Sequence, residues 1–274
     1  MKPISRIKAG LAAVCAAASL SASEVQAEDF VPATDNTVTI GLSAGYQDNN
    51  FEDYSSLDFS EGNQIRGQGE SSVIFTPGAL LATRGLLEID NVNYSDGNGE
   101  NLVVDAGFSM LFQWAYRAET HSFNLGGGLD FDCRYETGNY LDVPITKTIC
   151  GAGPMFDLNV DSEYANFGLS YSFIAGTMGN NVQGYNELMK HKLRIGLGFH
   201  LGPVDVEGYV QGEYNGAMEG ILNRENLFLY GGTNAKLWLD EHLALKAGYE
   251  YIWLYGDQDG LDSNTYSLGF VGRF

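Results

Sequence analysis

The chain has 274 residues, a formal net charge of −20, and many Gly (35), Tyr (16) and Phe (15) residues but few Pro (6). A strongly acidic chain repels phosphate, so the charge excludes nucleic-acid binding through phosphate contacts and favours cations as partners. Beyond residue 27 no apolar stretch approaches the ~20 residues of a transmembrane helix, which excludes a helical membrane protein. Glycine and aromatic residues spread through short alternating segments favour antiparallel β-structure.

The N-terminus has the order of a secretory signal peptide. Basic residues at the start precede an apolar run, residues 9–22, and the small-residue cleavage pattern Val25, Gln26, Ala27. The apolar run is too short for a comfortable membrane span. The sequence predicts that residues 1–27 are cleaved and that residues 28–274 form one domain. Its net charge is −22, since the leader carries three bases and one acid.

The first part of this domain is predicted from alternation of apolar and polar residues, which gives a strand one apolar face. Residues 37–47 alternate cleanly and form the first predicted strand. Residues 48–68 follow as a long acidic loop, which is either a solvated surface or a site for divalent cations, although its spacing does not match a calcium-binding loop. Residues 71–94 alternate less clearly, because Pro77 removes a ladder donor and charged residues disturb the pattern in residues 86–94. They are predicted as two strands that turn near Arg84 and Gly85.

The remaining chain alternates more regularly. Residues 101–114 are the clearest segment, since seven apolar residues from Leu102 to Trp114 share one parity without a break. The other predicted strands are residues 122–135, 148–158, 165–175, 192–201, 204–214, 227–239, 243–255 and 263–274. Their connections alternate between long polar loops, such as residues 136–147 and 176–191, and short turns. The sequence therefore predicts an all-β transmembrane barrel, antiparallel and up-and-down, with about 12 strands of about ten residues; ten strands are the alternative.

The last strand carries a more specific signal. In the sequence SNTYSLGFVGRF, Tyr266, Leu268, Phe270 and Phe274 share one parity, and the sequence ends on Phe274. This pattern resembles the assembly signal of Gram-negative outer-membrane β-barrel proteins. The resemblance implies an exported protein of the outer membrane, in contact with lipid and lipopolysaccharide and inserted by the barrel-assembly machinery through this strand. It concerns a broad class of proteins, so no functional residue is carried over from one family.

Charged residues on the opposite parity of the predicted strands are candidates for lining the lumen. They are Arg194, His200, Asp205, Glu207, Glu213, Lys236, Lys246, Glu250 and Arg273. The turn at Gly202 and Pro203 fixes a register that places His200 opposite Asp205. A three-residue turn places Lys236 opposite Lys246, a like-charge pair for which Glu207 and Glu213 are the expected acidic neighbours. Twelve strands lie between a filled and an open barrel, so a narrow pore and a packed interior both fit.

Two further features concern chemistry. Cys133 and Cys150, the two cysteines beyond the leader, are predicted to form a disulfide that holds an outside loop, because an even count in an exported protein favours pairing. His200 beside Asp205 permits a general-base interpretation. A cross-strand polar pair is favoured, since no serine or cysteine is placed beside it. The sequence predicts no catalytic residue, no cofactor and no defined set of metal ligands.

Three functional hypotheses follow. The first is a small porin-like or structural outer-membrane protein that passes small cationic or neutral solutes through a narrow lumen. The second is a barrel hydrolase acting on lipid A or phospholipid, with His200 and Asp205 as its only candidate pair. The third is an adhesin or recognition protein that acts through its acidic outside loops. Only the second hypothesis predicts lipid turnover that His200→Ala abolishes.

Overall fold

The computed structural model describes residues 36–51, 59–76, 78–94, 100–118, 120–140, 143–180, 184–217, 226–256 and 261–274. The predicted signal peptide lies outside these ranges, so its cleavage stays a prediction. The described residues contain no helix that is long and apolar enough to cross a membrane. Their strands are β1 (Thr37–Phe51), β2 (Phe59–Thr76), β3 (Ala79–Tyr94), β4 (Glu100–Arg117), β5 (His121–Tyr140), β6 (Val143–Ser162), β7 (Ala165–Asn180), β8 (Gly184–Leu201), β9 (Val204–Ala217), β10 (Asn226–Trp238), β11 (Leu243–Gly256) and β12 (Leu261–Arg273).

The twelve strands form one closed barrel. Each strand pairs antiparallel with its neighbours in sequence, and β12 pairs with β1 to close the sheet. Closure leaves no unpaired sheet edge, which is a requirement for a sheet inside a bilayer. The prediction of a twelve-strand up-and-down barrel is confirmed.

The two faces of the barrel are opposite to those of a soluble barrel. Apolar residues on one parity are exposed on the outside; Phe112 and Leu268 expose 59% and 72% of their surface. Polar residues on the other parity are buried inside, as Gln113 and Asp157 show with 5% and 2% exposure. A soluble barrel would turn its apolar parity inward. This arrangement instead suits an apolar surrounding, so the outer face is lipid-facing.

The strands are longer than the sequence predicted. They span 13 to 20 residues, whereas about 9–11 tilted residues cross a bilayer. Most of residues 48–68, 136–147 and 176–191, predicted as loops, belongs to strands that extend beyond the membrane at the end opposite the short turns. Alternation weakens there because no lipid selects apolar side chains on one face, so the pattern could not reveal these extensions.

The turn between β2 and β3 also differs from the prediction. The chain turns at Gly78, whose φ of 80° lies in the left-handed region that favours glycine. Arg84 and Gly85 lie in the middle of β3, so the predicted turn there is wrong. Pro77 directly precedes the turn glycine in the sequence and lies outside the described residues.

Candidate functional site

Every lysine and arginine among the described residues lies on the inner parity of its strand. These eleven residues are Arg66, Arg84, Arg117, Arg134, Lys147, Lys190, Lys192, Arg194, Lys236, Lys246 and Arg273. Thirteen carboxylates share that face: Glu70, Glu88, Asp90, Asp105, Asp130, Asp132, Glu136, Asp157, Asp161, Asp205, Glu207, Glu213 and Glu250. The inner wall is therefore densely charged and nearly neutral, although the chain is strongly acidic.

The predicted register of the β8–β9 hairpin is confirmed, with His200 opposite Asp205. The imidazole contacts two carboxylates: Nδ1 lies 2.7 Å from Asp205 Oδ1, and Nε2 lies 3.0 Å from Asp161 Oδ1. The second oxygen of Asp205 accepts a 2.6 Å hydrogen bond from the Trp238 indole. Both ring nitrogens are thus already engaged, and this is the geometry of a polar pair at the turn end of the barrel. Sequence reasoning missed Asp161 and Trp238.

The lysine pair, Lys236 and Lys246, lies directly opposite on β10 and β11, as the three-residue turn predicted. In the part of the chain that the structure describes, neither ammonium has a carboxylate within 4.0 Å. The two acidic neighbours expected for this pair bind other cations. Glu207 lies 3.5 Å from Arg194, and Glu213 lies 2.8 Å from Lys190. Like charges directly opposite destabilise a sheet, and on its other side Lys236 is in register with Asp205 of β9, whose carboxylate contacts His200 and Trp238. An ammonium group on the inner wall without a carboxylate within 4.0 Å is stabilised by water around it.

The remaining predicted lumen residues join aromatic rings. The Arg194 guanidinium lies 3.9 Å from the centroid of Tyr209, whose hydroxyl donates to Glu250. The Arg273 guanidinium lies 4.4 Å from the centroid of Trp238. Each guanidinium is therefore held by a cation–π contact rather than left mobile in the lumen.

The inner face of β3–β6 is packed. Asp157 accepts two hydrogen bonds from Arg84, at 2.8 and 3.0 Å, and one from Gln113 at 2.8 Å. On the same face, a buried apolar cluster fills the barrel beside these strands. It consists of Leu80, Ala82, Leu111 and Ala115, with Ile74 and Met155 against it. Arg84 lies on β3 and Asp157 on β6, so their contact joins strands that are not neighbours and crosses the inside of the barrel. We call such a contact a chord.

Two further sets of ion pairs cross the interior. Lys190 and Lys192 of β8 each lie 2.6 Å from Asp132 of β5. Arg66 of β2 lies 3.7 Å from Glu250 of β11. These chords narrow the lumen. Sequence reasoning missed Arg66 and Lys190 because both lie in segments predicted as loops, although their parity continues that of the adjoining strand.

The disulfide between Cys133 and Cys150 is present. The two residues face each other on β5 and β6, and both have the lipid-facing parity. The bond therefore joins two paired strands directly. The prediction that it holds a loop is wrong, because the β5–β6 hairpin extends well past both cysteines.

The terminal strand places Tyr266, Leu268, Phe270 and Phe274 on the exposed outer side. Its recognition by an assembly machinery stays a prediction. The predicted acidic loop is described only in part: Asp48 belongs to β1 and Glu61 to β2, whereas its other acidic residues lie outside the described ranges. Divalent-cation binding there also stays a prediction.

No protein-family model matches the chain, and no curated protein sequence matches it. Among solved structures, the translocator domain of autotransporter NalP from Neisseria meningitidis is similar with a TM-score of 0.52 and 8% identity, over 98% of this chain and 97% of that one. The COG4313 outer membrane channel from Pseudomonas putida F1 is similar with a TM-score of 0.59 and 13% identity, over 92% of this chain and all of that one. At these identities the likeness concerns the fold. Together with the lipid-facing surface, it shows that the chain has the fold of an outer-membrane β-barrel.

Proposed function

We propose that the protein is a narrow, porin-like channel that passes small cationic or neutral solutes across the outer membrane. The observation that carries the proposal is the lysine pair on the inner wall. The two lysines are directly opposite in register, and in the described chain neither ammonium has a carboxylate within 4.0 Å, so water around these groups is favoured. Water inside a barrel provides a path for small solutes.

The chords limit the size of the solute. The contacts of Arg84 with Asp157, Lys190 with Asp132, and Arg66 with Glu250 each join strands that have two other strands between them in the wall. Side chains fixed in this way occupy the cross-section of a barrel whose strand number already makes it narrower than a sixteen-stranded porin. Small solutes and hydrated ions therefore fit the proposal better than sugars of several rings.

The preference for cations is supported by the connections at the loop end. By sequence, the segments that join odd-numbered strands to the next strand contain one basic residue, Arg224. They contain nine acidic residues: Glu52, Asp53, Asp58, Asp96, Asp142, Glu219, Glu225, Asp257 and Asp259. Negative charge gathered at one mouth raises the local concentration of cations and lowers that of anions.

The hydrolase alternative lacks comparable support. A general base needs a ring nitrogen that can reach the proton of a nucleophile or a water. In His200 one nitrogen contacts Asp205 and the other contacts Asp161. The recognition alternative depends on the outside connections, most of which lie beyond the described residues.

Conductance of the purified barrel in a planar bilayer tests the proposal. We expect steady single-channel steps, and a reversal potential in asymmetric salt that shows a preference for cations. Replacing the lysine pair by Lys236→Gln and Lys246→Gln removes two positive charges from the wall and should increase that preference. Glu241→Gln is the control, since this exposed turn residue loses a charge outside the wall. A correctly folded barrel without conductance would overturn the proposal.

A further inference from the structure

Four charged residues on β2–β5 form one cross-strand row on the inner wall. Arg66 pairs in register with Glu88, Glu88 with Asp105, and Asp105 with Arg134. Two carboxylates thus face each other in the middle of the row, and a guanidinium flanks each of them. Arg66 forms an ion pair with Glu88, and Arg134 lies 3.5 Å from Asp105. Like charges directly opposite are unfavourable, and in the described part of the chain each of these two carboxylates has one guanidinium partner within 4.0 Å.

A third carboxylate joins this pair from the next position along β3. Asp90 is only 8% exposed, and the residue opposite it on β4 is the buried Val103. Its Oδ1 atom is buried without a hydrogen-bond partner, and in the described chain no lysine or arginine lies within 4.0 Å of Asp90. A buried carboxylate oxygen without a partner costs several kcal/mol by order of magnitude, so an ion or a proton is expected at this atom.

We propose that Glu88, Asp90 and Asp105 bind a divalent cation of the size of Ca²⁺ inside the barrel. One carboxylate oxygen from each residue lies within 4.8 Å of those from the other two. Calcium binds oxygen at about 2.3–2.6 Å, so oxygens on opposite sides of the ion are about 4.6–5.2 Å apart. Magnesium, with bonds of about 2.0–2.1 Å, would require the three side chains to close in.

The charge balance of the cluster supports a bound ion. Among the described residues, the three carboxylates have two guanidinium partners within 4.0 Å, Arg66 at Glu88 and Arg134 at Asp105. The remaining negative charge is that of Asp90, one of whose carboxylate oxygens lies within 4.8 Å of an oxygen of Glu88 and of Asp105. A cation there offsets the repulsion between Glu88 and Asp105 as well. Gln64 already donates a 3.0 Å hydrogen bond to Glu88, which fixes that carboxylate for binding.

This site is independent of conduction. Its ligands belong to the wall formed by two adjacent strands, β3 and β4, so a barrel with a fully blocked lumen would bind the ion equally well. A failure of the calcium site and a failure of the channel proposal are therefore distinguishable.

Calorimetric titration of the refolded, chelator-treated barrel with Ca²⁺ tests the site. We expect one saturable site above the weak binding by surface acids, and an affinity that Asp90→Asn lowers at least about tenfold, since it removes the charge of one of three ligands. Thermal unfolding provides a second readout: Ca²⁺ should raise the midpoint of the wild-type protein and not that of the variant.

Asp130→Asn is the matched control. Asp130 is as buried as Asp90 and also lies on the inner wall, but its carboxylate accepts a 2.9 Å hydrogen bond from Ser109 and is not part of the cluster. It should retain the calcium affinity of the wild type. If Asp90→Asn does not fold, Asp105→Asn replaces it. The absence of a saturable site in the wild type would overturn the proposal. Wild-type affinity in Asp90→Asn would do the same and would indicate a protonated carboxyl.

Discussion

The inner wall on β3–β6 differs from the inner wall on β10 and β11. On β3–β6, the Asp157 carboxylate is 2% exposed and receives Arg84 and Gln113, beside a buried apolar cluster. On β10 and β11, two lysines face each other, and neither has a carboxylate within 4.0 Å in the described chain. One part of the wall thus resembles the core of a soluble protein, whereas the other needs water. Strand count alone does not decide whether a barrel is filled, because the answer differs around its circumference.

The comparison predicts a large stability effect at Arg84. Arg84→Ala leaves the buried Asp157 carboxylate without its bidentate partner, so the free energy of unfolding should fall by about 3–5 kcal/mol. Urea unfolding of the refolded barrel in micelles measures this change.

Arg194→Ala provides the control for that prediction. The Arg194 side chain is 40% exposed, and its ion pair with Glu207 spans 3.5 Å. Solvent screens such a pair, so it should contribute no more than about 1 kcal/mol, and the cation–π contact with Tyr209 brings the expected loss to no more than about 2 kcal/mol. If Arg84→Ala and Arg194→Ala lowered the free energy of unfolding by the same amount, the two parts of the wall would not differ in the way described.

The sequence predicts only part of the difference between the inner wall on β3–β6 and that on β10 and β11. Parity predicted the inner position of Lys236, Lys246 and Glu250, because they lie in strands whose outer parity is strongly apolar. It could not predict that Arg84 reaches Asp157, since that contact joins strands that are not neighbours in sequence. The buried leucines of β3 and β4, Leu80 and Leu111, lie on the polar inner parity. A period of two therefore did not identify them as part of a packed interior. A chord across a barrel depends on its curvature, which local alternation does not encode.

The lysine pair predicts a smaller effect of opposite sign. Lys246→Gln removes one of two facing like charges, so the free energy of unfolding should rise by about 0.2–1 kcal/mol. Urea unfolding at low and high salt checks this, because salt screens the repulsion and should reduce the difference between variant and wild type. A loss of stability in Lys246→Gln would indicate that the ammonium has a favourable partner.

The smallest effect is expected at the turn after β10. Asp240 Oδ1 accepts hydrogen bonds from the backbone N–H groups of His242 and Leu243, both at 2.8 Å. These donors lower the pKa of the Asp240 carboxyl below its ordinary value. The ionised carboxylate therefore stabilises the fold above the pKa of the unfolded chain, about 3.9. This contribution is lost as the pH falls through the lower pKa of the folded state.

Asp240→Asn isolates this contribution, since the amide oxygen still accepts both hydrogen bonds but does not ionise. The variant should be less stable than the wild type at pH 7, and the difference should shrink toward pH 3. Urea midpoints of both proteins at the two pH values measure it. A pH-independent difference would mean that the turn needs the shape of the side chain and not its charge.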